Sequence, residues 1–176
     1  MCIRDRNATV SLAAVGIVSS FLSMLIWVLG QSRSAISSII SQYLGANKLK
    51  EVKSLPAQAI SIVLILSVLI CAATIPFSEA IFKFYNASGL LLDYSADYYK
   101  IRIIGFPFTL YTFAIFGVFR GLQNTYHPMV IAIVGTAINI VLDLVLVYGI
   151  TNFIEPMNLK GAALASVLSQ ALMAIM

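Results

Sequence analysis

At 176 residues the chain has room for one compact helical unit, and its composition decides the class: 60% of the residues are hydrophobic and only 10% are charged, with a mean hydropathy of +0.96. Soluble domains carry about 25% charged residues, so this is a membrane sequence. The net charge of +4 is small and spread over connecting segments, which suits loops beside anionic lipid and argues against a nucleic-acid surface.

Cys2 and Cys71 have no metal-binding spacing, and Cys71 lies inside an apolar run. A disulfide framework is excluded in practice, and Cys71 reads as a small buried hydrophobe. The single histidine, His127, precedes Pro128 at a helix start, where a structural role is expected before a ligand role.

Met1 to Arg6, MCIRDR, is charged and lacks the apolar core of a signal peptide. Residues 1–8 therefore read as a non-native leader joined to a truncated reading frame. From Thr9 to about Tyr43 the pattern predicts one long helix, or a helix with a break at Gly30, Gln31, Ser32 and Arg33. Arg33, with Gln31 beside it, either lines a cavity or snorkels to the membrane interface, as long basic side chains near helix ends do.

Leu44 to Pro56 is a short connection, with Gly45 as a helix stop and Ser54 as a start before Pro56. Its lysines, Lys48, Lys50 and Lys53, mark it as a cytoplasmic loop under the positive-inside rule. A second span is expected from about Ala57 to Phe77. The segment Ser78 to Lys100 mixes acids with tyrosines and phenylalanines, a composition suited to the membrane interface.

A third span is expected from Ile101 to Phe119 with Pro107 inside it, where a proline bends the helix and frees a backbone carbonyl. Arg120 to His127 is a polar turn. Pro128 to Gly149, PMVIAIVGTAINIVLDLVLVYG, is the fourth span, and its only charge is Asp143 and its only amide Asn139. Thr151 to Lys160 forms the next loop, and Gly161 to Met176 opens a fifth span that is shorter than the roughly 20 residues a crossing needs.

Alternating the spans puts the 44–56 and 120–127 loops on one side and the 78–100 and 151–160 loops on the other. Counting Lys and Arg gives four on each side when helix-end residues are included: Lys48, Lys50, Lys53 and Arg120 against Lys83, Lys100, Arg102 and Lys160. The lysine density of the 44–56 loop then favours its side as cytoplasmic.

Asn139 and Asp143 are four residues apart, so on a helix they lie one above the other, with Gly135 a turn earlier on the same stripe. A carboxylate at a helix centre costs about 2.5 to 3.5 kcal/mol on insertion scales, so the stripe must face protein or water. It reads either as a cation or proton site or as a polar helix contact satisfied by its neighbours. Burial favours the neutral acid, while a nearby Na⁺ or organic cation favours the carboxylate, so one cation can be traded for another. Asn139 offers a carbonyl oxygen to a hard cation, or a hydrogen bond to the protonated acid.

Several pieces coincide in order: SQYLGANK from Ser41, IGFP from Ile104, FRGLQNT from Phe119, NIVLDLVLVYG from Asn139 and KGAALASVLSQ from Lys160. Together they resemble the amino-terminal lobe of the multidrug and toxic compound extrusion (MATE) transporters over residues 9–176. The resemblance implies an all-α polytopic membrane helix bundle, here about five transmembrane helices of a six-helix lobe, namely helices two to six with the last one truncated.

It also implies a bacterial plasma (inner) membrane location and a secondary transporter rather than an enzyme, with no catalytic residues and no cofactor. Such a protein exchanges Na⁺ or H⁺ for organic cations or other amphipathic compounds, and its partners are those substrates, the lipid bilayer and a second lobe of the parent chain. By the same likeness Asn139 and Asp143 match the family's fifth-helix pair, a possible Na⁺ site, and Ser166 stands at its sixth-helix hydroxyl. The first-helix acid has no counterpart here, and Arg33 departs from the pattern.

Three other readings compete. A lipid-linked oligosaccharide flippase of related architecture needs a more basic cavity, to which only Arg33 would contribute. An intramembrane transferase needs paired acids or a histidine base. A truncated chain of five spans, with no second lobe to rock against, would have no function by itself. Asn86-Ala87-Ser88 is a glycosylation-like triplet that reads as chance.

Overall fold

A computed structural model describes the backbone of residues 3–149 and 156–176, and side chains for 9–48, 50, 52–149 and 156–176. Cys2 and the loop carrying Glu155 lie outside the described residues. All described elements are helical: α1 (Ile3–Gly30), α2 (Ser32–Gly45), α3 (Leu49–Val52), α4 (Leu55–Thr74), α5 (Ser78–Phe84), α6 (Leu90–Arg102), a 3₁₀ turn (Ile103–Gly105), α7 (Phe106–Gly121), α8 (Tyr126–Tyr148) and α9 (Asn158–Ile175). Five stretches are long and apolar enough to cross a bilayer: Thr9–Gly45, Leu55–Thr74, Leu90–Gly121, Tyr126–Tyr148 and Asn158–Ile175.

The first span breaks where the sequence expects it, at Gln31 between α1 and α2. Gly30 sits at that break because a Cβ there would lie 3.1 Å from the Phe113 ring. The chain leaves α2 after Gly45 through Asn47 at a φ of 59°, a left-handed conformation that asparagine tolerates. Pro56 occupies the first turn of α4, where its missing N–H has no helical partner to lose.

The third span departs from expectation. It starts at Leu90 rather than Ile101, runs to Gly121, and changes to 3₁₀ geometry over Ile103–Gly105. Pro107 lies in the first turn of α7 just after that change, where it removes no helical hydrogen bond. The longer span also moves Arg102 from the first turn of the expected span to its interior.

The core is aromatic at one end. Phe82 and Tyr99 are fully buried, with Phe21 and Tyr98 close to it. Phe21, Phe82 and Tyr99 meet edge to face, with ring centroids 5.4 to 6.1 Å apart, the arrangement that ring quadrupoles favour. Tyr99 donates its hydroxyl to Thr74 Oγ1 at 2.6 Å, and Thr74 donates to the Ile70 carbonyl at 2.7 Å. The aromatic segment therefore divides: Phe84 and Tyr85 remain exposed as an interface requires, while Phe82, Tyr98 and Tyr99 are lobe core.

The ends of the bundle follow the expected alternation. Ser41 Oγ lies 3.3 Å from the Gly121 carbonyl, bringing together the exits of α2 and α7. Lys160 Nζ lies 3.8 Å from Asp97 Oδ2, bringing the start of α9 to α6. Leu12, Trp27, Ile62, Ile65, Val68 and Leu69 are exposed, and an outward apolar face of this kind is what contact with hydrocarbon requires.

Candidate functional site: an ionisable layer between α6, α8 and α9

The site is built on the antiparallel pair α8 and α9. Helix α8 ends at Gly149, with φ 76°, whose N–H caps the Val145 carbonyl at 3.0 Å. The returning chain is tied back by Met157 N–H donating to the Leu146 carbonyl at 3.0 Å. Contact between the two helices steps evenly in opposite directions: Gly161 faces the Leu146 carbonyl, Asn139 faces Ser169, and Gly135 faces Met173. Small residues at such positions let two membrane helices approach closely.

The expected stripe Gly135, Asn139, Asp143 is thus the edge of α8 turned towards α9. Asn139 Nδ2 donates to Ser169 Oγ at 3.2 Å, and Ser169, buried at 2% exposure, donates in turn to the Ser166 carbonyl at 2.9 Å. With its amide nitrogen directed at Ser169, Asn139 keeps its carbonyl oxygen as an acceptor. Asp143 is half-buried one turn further along, and the register puts it level with Ala165, beside Ser166.

Ser166 stands at this layer, but its hydroxyl donates to the Ala162 carbonyl of its own helix at 3.0 Å. Such back-bonding is common for serine in a helix and satisfies the hydroxyl's one proton. The hydroxyl that reaches α8 belongs to Ser169. Its signal was present in the SVLSQ run, since Ser166 and Ser169 are three residues apart on neighbouring stripes.

Helix α9 also packs on α6 and α7, so it separates the Asn139–Asp143 edge from Arg102. Gln170 ties α9 to that side: with its amide turned so that both ends are satisfied, its nitrogen donates to the Gly105 carbonyl at 3.2 Å and its oxygen accepts from Arg102 Nη1 at 3.1 Å. Gly105 is needed beneath it, because a Cβ there would meet the Gln170 amide. Sequence reasoning counted Arg102 among the helix-end charges, although its isoleucine neighbours in KIRIIGFP signalled an apolar setting.

Arg33 and Gln31 stand elsewhere. The Arg33 guanidinium lies 5.3 Å from the centre of the Phe113 ring, a cation–π contact, and its backbone faces Gly117 of α7. Gln31 is exposed and donates to the Trp27 carbonyl at 3.3 Å. Helix α2 packs on α7 and α8 on α9, so neither residue meets the Asn139–Ser169 contact. His127 stacks on Phe119 at 5.5 Å, with Nδ1 3.1 Å from Asn124 Oδ1, and organises the turn into α8. Among the described residues no three His, Cys, Asp or Glu side chains gather to hold a metal. Hard-cation ligands at this layer would be the Asp143 carboxylate and the Asn139 carbonyl oxygen.

Five membrane-crossing helices with a carboxylate, an amide and a guanidinium inside them define a multi-pass membrane bundle with an ionisable interior. The chain belongs to the MatE family, whose model matches residues 5–145. It is 30% identical over 133 residues to the multidrug export protein MepA of Staphylococcus haemolyticus, covering 76% of this chain and 28% of that protein. It is 29% identical over 158 residues to the DNA damage-inducible protein F of Escherichia coli, covering 89% and 33%. A crystal structure of MATE in the bent conformation superposes with a TM-score of 0.87 at 25% identity, covering 94% of this chain and 36% of that one. The chain therefore spans about a third of the length of the proteins it matches. Members of the family are transporters rather than enzymes.

Proposed function

We propose that the chain is the amino-terminal-lobe part of a secondary active multidrug efflux transporter of the bacterial plasma membrane, exchanging Na⁺ or H⁺ for organic cations or other amphipathic compounds. Residues 9–176 then make up helices two to six of that lobe, and a second lobe of the parent chain supplies the opposite wall of the cavity. The observation that carries this reading is the Asn139–Asp143 edge of α8, a half-buried carboxylate and amide inside a membrane span and tied to α9 through Ser169. An ionisable group at such depth is costly and marks ion or substrate pathways.

Asp143 is the exchangeable anion, neutralised in turn by the coupling ion and by a cationic substrate. Asn139 supplies an oxygen ligand or holds the protonated acid, and the α9 serines orient it. Asp143→Asn in the complete gene product should abolish efflux of a cationic dye while the protein still inserts at wild-type levels. Unchanged drug resistance in that variant overturns the reading. Efflux driven in proteoliposomes by an imposed Na⁺ gradient, compared with an imposed pH gradient, identifies the coupling ion.

A further inference from the structure

The third span passes from α6 through 3₁₀ geometry at Ile103–Gly105 into α7, and it does so in the interior of a membrane-crossing segment. A 3₁₀ stretch inside a long helix often marks a hinge, and backbone groups loosened there must find partners on neighbouring helices. The Ile103 carbonyl lies 3.4 Å from Cys71 Sγ of α4. Gln170 of α9 serves the rest. Its nitrogen donates to the Gly105 carbonyl at 3.2 Å and its oxygen accepts from Arg102 Nη1 at 3.1 Å. Thr109 Oγ1 lies 3.3 Å from that oxygen and 3.2 Å from the Gly105 carbonyl. One side chain thus meets the end of α6, the break itself and the first turn of α7. A Cβ at Gly105 would run into the Gln170 amide and lie 3.3 Å from Val167 Cγ2, so α9 sits directly on the break. The residue before Gln170 is Ser169, buried and bonded to Asn139 of α8 at 3.2 Å.

We propose that Ser169 and Gln170 form a mechanical link through α9, by which cation loading at the Asn139–Asp143 edge resets the angle between α6 and α7. This rests on that edge being the cation site, and adds the element of the fold that answers its occupancy. A cation that draws on the Asn139 oxygen reorients the amide and changes its hold on Ser169. Adjacent residues of a helix move together, so a displacement of α9 at Ser169 is also one at Gln170. There it alters bonds to both halves of the third span at once. A ligand shifts such an equilibrium only by binding the two settings differently, and the Asn139–Ser169 bond supplies that difference. Arg102 Nε is buried with no partner. An unmade buried hydrogen bond is costly, so the setting seen here carries a cost that another angle of the break can relieve. Gln170 is a positioning residue: it touches the hinge and never the cation.

The test uses the complete gene product in lipid nanodiscs, spin-labelled at Leu90→Cys and Leu122→Cys, exposed positions at the two ends of the third span. Other cysteines are replaced, Cys71 by Ser to keep a donor beside the Ile103 carbonyl. Saturating tetraphenylphosphonium should shift the label-to-label distance by about 2 Å, the scale of helix movements in such transitions. Gln170→Leu should abolish the shift while the cation still binds. Should Gln170→Leu fail to insert, Ser169→Ala carries the test: it cuts the link at its other end without adding bulk, and should also abolish the shift at saturating cation. A purely structural role for these residues predicts an undiminished shift in either variant, and that result overturns the proposal. Binding that is lost in Asp143→Asn, with no shift in the parent protein, overturns this inference alone. Binding indifferent to Asp143→Asn overturns the coupling-site reading and this one with it.

Discussion

The Asn139 amide of α8 donates to the Ser169 hydroxyl of α9 at 3.2 Å, and Ser169 in turn donates a hydrogen bond to the Ser166 carbonyl at 2.9 Å. Two adjacent serines thus have different duties. Ser169 couples the helices, whereas Ser166 bonds to its own backbone at Ala162.

That division predicts an order of effects. Ser169→Ala leaves the Asn139 amide without its partner and should lower cation affinity about fivefold, the equivalent of about 1 kcal/mol. Ser166→Ala removes a bond internal to α9 and should change affinity by less than half as much on the free-energy scale. Dissociation constants for tetraphenylphosphonium in both variants decide it, and a larger effect at Ser166 would show that its hydroxyl turns towards the ion.

The same interface makes a prediction about packing. A methyl group at Gly161 would run into the Leu146 carbonyl, which is backbone, whereas one at Gly135 would meet only the Met173 side chain. Methionine has three rotatable bonds and can move aside, but the carbonyl cannot shift without displacing α8. Gly161→Ala should therefore cost about 1 to 3 kcal/mol, as overpacking does, and Gly135→Ala distinctly less. Thermal unfolding of the two variants in detergent gives the comparison.

Much of this architecture was legible in the sequence, for identifiable reasons. Membrane spans announce themselves because hydrocarbon forces every backbone group into a helix and every exposed side chain to be apolar, so the Pro128 to Gly149 run could be placed to within two residues of α8. The i, i+4 spacing put Asn139 and Asp143 on one edge without any tertiary information. The inner partners were hidden because they depend on helix register: nothing local says whether Ser166 or Ser169 faces α8. The start of the third span was set too late for a different reason. The polar, tyrosine-rich Leu90 to Lys100 stretch lacks the apolar signature of a span, yet Tyr98 and Tyr99 are buried by neighbouring helices rather than by lipid.

Those buried tyrosines support a third prediction. Tyr99→Phe keeps the ring against Phe21 and Phe82 and removes only the bond to Thr74, which still donates to Ile70. A side-chain hydrogen bond within a membrane bundle averages about 0.6 kcal/mol, so the loss should be small. Tyr99→Ala removes a fully buried ring and should cost about 3 to 5 kcal/mol. Equal effects in the two variants would mean that the hydroxyl rather than the ring holds α6 to α4.

The topology can be tested from outside the membrane. Asp97 and Lys160 meet at 3.8 Å with both side chains more than half exposed. A surface pair of this kind contributes about 0 to 1 kcal/mol, so replacing either residue should leave the fold intact. Their proximity nonetheless puts the start of α9 on the same side as the middle of α6. The contact between Ser41 and Gly121 gathers the 46–48 and 122–125 turns at the other end. In a background lacking reactive thiols, Asp97→Cys and Lys160→Cys should both react with a membrane-impermeant maleimide applied from one side. Lys48→Cys and Asn124→Cys should react only from the other. With the 44–56 loop cytoplasmic, as its three lysines favour, intact cells should show labelling of Asp97→Cys and Lys160→Cys and protection of Lys48→Cys and Asn124→Cys. Asp143, about 9 Å short of the Gly149 cap of α8 by helical rise, then lies towards the outer face of the membrane. The reverse labelling pattern would place it on the cytoplasmic side and invert the direction from which the site loads.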